Sequence, residues 1–187
     1  MAKILRSRPF LVATLLPPLV LAWSGCSGVS SSPVTDADGG CNQTCMDTHT
    51  GVAFIQLVDQ IYNESIYGKP VGSQSLTALC PLGGSAVVSG STSLDMAQGI
   101  TSLNLTYVMS GCSLTDNGDT LAFAGSVTEV GTFDSASEES LHFSSSALQF
   151  TGTVTGAAVD VPGCAVQAAD VWTANPQISG TICGRAF

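Results

Sequence analysis

The sequence predicts a mainly β (α+β) domain: a curved antiparallel sheet, a meander of about six to eight strands, with one N-terminal amphipathic helix packed on it. Three observations carry that prediction. Charged residues make up 10% of the chain, and Ser, Thr, Gly and small apolar residues fill most of the rest, a balance that suits a β-rich domain better than a helical one. A single window has helical periodicity, while the remainder alternates with period two or is punctuated by turn residues. There are seven cysteines. One of them, Cys26, closes an N-terminal apolar run, and the other six are an even number, as three disulfides require.

The chain begins with Lys3, Arg6 and Arg8, followed by an apolar run of 14 residues from Phe10 to Trp23 and then Ser24-Gly25-Cys26. Basic start, short apolar run and small residues are the order of a secretory signal peptide, which places residues 1–25 outside the mature domain. A membrane-spanning helix needs roughly 20 apolar residues and tolerates mid-helix prolines poorly; this run is shorter and is interrupted by Pro17-Pro18. Residues 26–40, with Ser30-Ser31-Ser32-Pro33 and Gly39-Gly40, offer too little apolar surface to fold and read as a flexible linker. Residues 41–187 then form a single disulfide-containing β-rich domain, long enough to bury its own core.

The helix is predicted at about residues 50–66. Phe54, Val58, Ile61 and Ile66 recur near the helical period, with Gln56, Asp59, Gln60 and Asn63 opposite, the pattern of a helix docked on a core. Asp47 or Thr48 would cap its start, and Gly68 followed by Lys69-Pro70 would end it.

The strands follow. Leu103, Leu105, Tyr107 and Met109 alternate with Ser102, Asn104, Thr106 and Val108, giving one apolar face. Asp116-Asn117-Gly118-Asp119 is a strong hairpin turn, after which Leu121, Phe123 and Val127 continue the pattern. Leu141 and Phe143 start another strand whose parity switches to Leu148, Phe150 and Val154 after Ser144-Ser145-Ser146, the signature of a bulge. Further strands are expected at 85–91, 154–161, 165–173 and 177–183. The echo of Gly84-Ser85, Gly125-Ser126, Gly152-Thr153 and Gly180-Thr181 is too unevenly spaced for a solenoid; glycines marking kinks in successive hairpins explain it better.

Charge narrows the function. Beyond residue 25 the strong bases are Lys69 and Arg185 against 14 acids, a net charge of −12. Nucleic-acid binding needs a basic footprint, and none exists. Cys41, Cys45, Cys80, Cys112, Cys164 and Cys183 fit an oxidising compartment as disulfide partners, with 15 connectivities open. The spacing Cys41-x-x-x-Cys45-x-x-x-His49 would also suit a soft metal if helical, but an even cysteine count favours structural disulfides and no metal site. Only His49 and His142 could act as neutral-pH bases. No nucleophile elbow, phosphate-cradling loop or zinc-binding helix motif accompanies them, so no catalytic residue and no cofactor is assigned. His142 is expected to face solvent.

The residues Trp23-Ser24-Gly25-Cys26 resemble the bacterial lipoprotein box, departing from it at Trp23, where the family carries Leu. The resemblance implies cleavage before Cys26 and lipid on its sulfur and amine. Ser27 at the next position implies sorting to the outer membrane. The Ser/Thr/Gly-rich remainder is similar to uncharacterised β-rich lipoproteins of Gram-negative bacteria, a resemblance of composition that implies no activity. The expected function is therefore an acyl-anchored outer-membrane lipoprotein with a structural or interaction role. It meets the membrane through lipid on Cys26 and a protein or glycan partner through its surface; the sequence fixes no oligomeric state. The alternatives are a carrier holding an apolar ligand between helix and concave sheet, and an exported hydrolase using His49 or His142 with an acid and a serine.

Overall fold

The computed structural model describes residues 41–134, 139–172 and 177–187. A long helix, α1 (Gln43–Ser65), leads into eight strands: β1 (Gly72–Leu79), β2 (Ser85–Asp95), β3 (Ile100–Asp116), β4 (Asp119–Phe133), β5 (Glu139–Val154), β6 (Ala157–Trp172), β7 (Gln177–Ile182) and β8 (Arg185–Ala186). They form one open antiparallel sheet in which every strand pairs with its neighbours in the chain. This is the predicted meander. The signal-peptide and linker assignments, residues 1–25 and 26–40 with Cys26, lie outside the described residues.

The helix starts earlier than the apolar pattern indicates. Its cap is Asn42, not Asp47 or Thr48: the Asn42 side-chain oxygen accepts the Cys45 N–H at 3.0 Å, which satisfies one of the free donors of the first turn. Gln43 reinforces that turn by donating to Asp47 at 2.9 Å. These polar turns have no apolar periodicity to read. At the other end Ile66 follows the last helical residue, and Gly68 takes a left-handed φ of +79°, a conformation that costs glycine little.

The sheet wraps far around the helix. Ala53, Phe54, Ile55, Leu57, Val58, Ile61 and Tyr62 are all buried, an arc well beyond the single stripe of an ordinary surface helix. Asp59, predicted on the polar face, is buried too at 6% exposed, because the curled sheet covers flanks that a flat one would leave in water.

That curl has local causes. The ladder shifts register between Met109 and Cys112 on β3, between Ala124 and Thr128 on β4, and between Ser145 and Leu148 on β5. The last is the bulge predicted from the parity switch. The three shifts lie on adjacent strands, and bulges bend the strand and raise its twist, so the sheet folds over along this band. Gly152 serves the same end: φ is +149°, and a Cβ there would sit 2.0 Å from the Thr120 carbonyl oxygen. No other residue fits so close a strand approach.

Three strand assignments need correction. β1 was not anticipated, because its inward positions, Gln74, Leu76 and Ala78, form too thin an apolar face to show as a pattern. The expected strand 154–161 is two strand ends. Val154 closes β5, Thr155 (φ +49°) and Gly156 (φ +83°) make the turn, and Ala157 opens β6. β6 in turn runs on through Gly163 to Trp172, joining what the sequence reads as separate segments.

Candidate functional site

The six described cysteines pair with one another. Cys41–Cys45 staples the first turn of α1, Cys80–Cys112 joins the chain just after β1 to β3, and Cys164–Cys183 joins β6 to the turn after β7. Cys112 lies within β3 beside its register shift rather than at a strand end. With Cys41 and Cys45 bonded to each other, the Cys41/Cys45/His49 face is not a metal-ligand set, and no group of three or more His, Cys, Asp or Glu among the described residues is arranged to hold a metal ion.

Polar chemistry concentrates at the N-terminal end of the helix. His49 Nδ1 lies 2.6 Å from Asp119 Oδ2, while Asp119 Oδ1 accepts the Thr155 N–H at 2.6 Å. One buried carboxylate thus ties α1 to the turn after β3 and to the turn between β5 and β6. The Asp116–Asp119 hairpin forms as predicted, with left-handed Asn117 and Gly118. Two residues before His49, Asp47 receives two hydrogen bonds from Arg185. Next along the chain, the Phe187 ring fills a slot between Gly51 and Gly180: a Cβ on Gly51 would come within 2.4 Å of it, and one on Gly180 within 2.8 Å. The Phe187 N–H donates to the Gly180 carbonyl at 3.1 Å. This end of the molecule is a lock in which the last residues of the chain hold the first turns of the fold. Among the described residues the partner of the His49 ring is Asp119, and no serine hydroxyl bonds to it.

The second polar feature is internal. Glu129 and Asp170 occupy inward positions of β4 and β6, opposite Phe143 and Leu141 of β5, and both are fully buried. Tyr107 donates its hydroxyl to Glu129. A hydrogen bond of this kind offsets part of the cost of burying the polar group. Neither acid stands out in the sequence, since period-two alternation marks which positions face inward only where the residues are apolar.

Aromatic rings pack against one another between sheet and helix. Phe54 lies 6.0 Å from Phe123 and 6.1 Å, edge-on, from Phe143; Tyr62 lies edge-on to Phe133 at 6.1 Å. These are favourable ring geometries, and they lie where a carrier's apolar ligand would sit. His142 is exposed on the outer face of β5, opposite Val130, as expected. No described helix is long and apolar enough to cross a membrane.

Comparison with protein-family models, with curated proteins and with solved structures finds no match to this chain.

Proposed function

We propose that this protein is an acyl-anchored lipoprotein of the bacterial outer membrane whose β-domain has a structural or interaction role. The observation that carries the reading is the cysteine arithmetic. Six cysteines pair among themselves inside the domain, and Cys26 stands apart from that set. It stands directly after an apolar run and two small residues, where the lipoprotein box places its acylated cysteine. Diacyl or triacyl modification gives the firm attachment that a single chain does not. A mature chain of net charge −12 would be repelled by anionic headgroups and needs such an anchor.

The domain supports a binding rather than a catalytic role through what it does with its reactive groups. His49, Asp119, Asp47 and Arg185 are spent on each other and on backbone, and Phe54 with its neighbours fills the concave face. Intact-mass analysis of the mature N-terminus tests the anchor. A first residue Cys26 carrying lipid is expected, with Cys26→Ser moving the protein from the membrane to the soluble fraction. An unmodified peptide beginning at any other residue would sink the proposal.

A further inference from the structure

The flank built by β1, β2 and β3 differs from the rest of the molecule. Between residues 65 and 115 the only charged side chains are Lys69 and Asp95, whereas residues 116–187 carry eight of the 14 acids. Apolar exposure is segregated in the same way. Of the eight large apolar side chains exposed among the described residues, seven lie between Val71 and Val108, with Leu79 78% and Met96 87% exposed. On the outer face Thr77, Val87 and Val108 form one row across the three strands.

Among the described residues this flank also ends in a sheet edge. Among the described residues the one strand neighbour of β1 is β2. The two pair without a break from Gly72 to Leu79, and the strand Gly-Ser-Gln-Ser-Leu-Thr-Ala-Leu has no charge and no proline. Natural sheets protect long edges with charges, prolines or bulges because unpaired N–H and C=O groups recruit another strand. β1 uses none of these devices.

We infer that β1 is a self-association edge: two copies pair their β1 strands antiparallel about a two-fold axis at Ser75. This deepens the interaction role proposed above and rests on it. In that register Ser75 faces Ser75 of the second copy, and Ser73 faces Thr77. On the concave side Gln74 meets Leu76 and Gly72 meets Ala78. Neutral residues meet neutral residues at every position. An isologous two-fold contact also turns the acidic strands of both copies outward, beyond the roughly 8–10 Å over which salt leaves their repulsion felt. A bilayer is the poorer occupant, since hydrocarbon would leave the edge's backbone groups without partners.

Sedimentation equilibrium of the mature full-length chain in density-matched detergent tests the inference. Wild type is expected at twice the monomer mass. Ser75→Asp and Ser75→Lys, each placing like charges face to face, should sediment as monomers with unchanged far-UV circular dichroism. Their equimolar mixture should return to the dimer mass, because Asp then faces Lys. A wild type that stays monomeric at every concentration overturns the inference, whatever else binds the flank. So does a dimer that survives both Ser75 variants. The lipid is read independently from the N-terminal mass, so a lipidated monomer would remove the dimer and leave the anchor standing.

Discussion

Asp47 and Arg185 stand 138 residues apart and meet through two hydrogen bonds, Nε to Oδ2 at 2.7 Å and Nη2 to Oδ1 at 2.9 Å. The forked geometry matches the planar guanidinium to the carboxylate. The hydrogen bond to Asp47 holds the pKa of the Arg185 guanidinium above its ordinary value; burial takes part of that back, and the charge of Asp47 adds a lesser rise. With its proton held more tightly than in the unfolded chain, Arg185 contributes fully at every pH below its ordinary alkaline range and loses that contribution only as pH rises beyond it. Arg185→Ala leaves Asp47 buried without its cation and should cost about 1–2 kcal/mol in urea unfolding, a value tempered by the solvent screening of a half-exposed guanidinium. Arg185→Lys, which cannot fork, should recover part of that loss.

Phe187 makes a prediction whose sign is informative. In an exposed helix, Gly→Ala stabilises by about 1 kcal/mol. At Gly51 the new methyl would lie 2.4 Å from the Phe187 ring, so Gly51→Ala should instead destabilise by about 1–3 kcal/mol through overpacking. The double variant Gly51→Ala/Phe187→Ala should be less unstable than the two single effects added together, because the methyl then has room. Thermal unfolding of the four proteins checks this. Additive losses would show that the ring does not occupy the slot.

Two glycines in left-handed backbone separate strain from crowding. Gly156 has φ +83° with open space around its Cβ position, whereas at Gly152 the Thr120 carbonyl stands 2.0 Å away. Gly156→Ala should therefore cost about 1 kcal/mol, the backbone term alone. Gly152→Ala must also push β4 and β5 apart and should cost more than about 3 kcal/mol. Equal losses would remove the close approach of these strands as the reason for Gly152.

Asp119 serves two donors, the His49 ring and the Thr155 N–H. Asp119→Ala strands a backbone donor as well as the imidazole and should cost about 2–3 kcal/mol. His49→Ala removes one partly exposed contact and should cost under about 1 kcal/mol. Hydrogen exchange at Thr155 should speed up in the Asp119 variant and stay slow in the His49 variant; protection in both would show that the turn does not depend on the carboxylate.

Legibility in the sequence followed a physical rule. The long apolar alternations of β3, β4 and β5 were readable because one face of each is buried and the other is not, and the parity switch at Ser144–Ser146 exposed the bulge. β1 was not readable because an edge strand near the helix end buries too little to need an apolar face. The first turns of α1 were missed for a related reason: Asn42, Gln43, Asp47 and His49 are held by hydrogen bonds, which leave no periodic trace. The buried acids Glu129 and Asp170 show the opposite failure. A charged residue in an alternating strand reads as solvent-facing, and only the neighbouring strand and Tyr107 explain how a carboxylate is accommodated inside.

By itself the sequence determined the class of fold, the helix that fills it, the hairpin at Asp116–Asp119, the even set of cysteines and Cys26 standing apart from them. These are properties of composition, short-range pattern and turn chemistry, and each acts within a few residues. Tertiary structure alone decided which cysteines pair, how far the sheet curls, and that the C-terminal Arg185 and Phe187 lock onto Asp47 and Gly51. Those outcomes depend on contacts between distant segments, whose partners are fixed only when the strands find their register and bring α1 against residues 185–187.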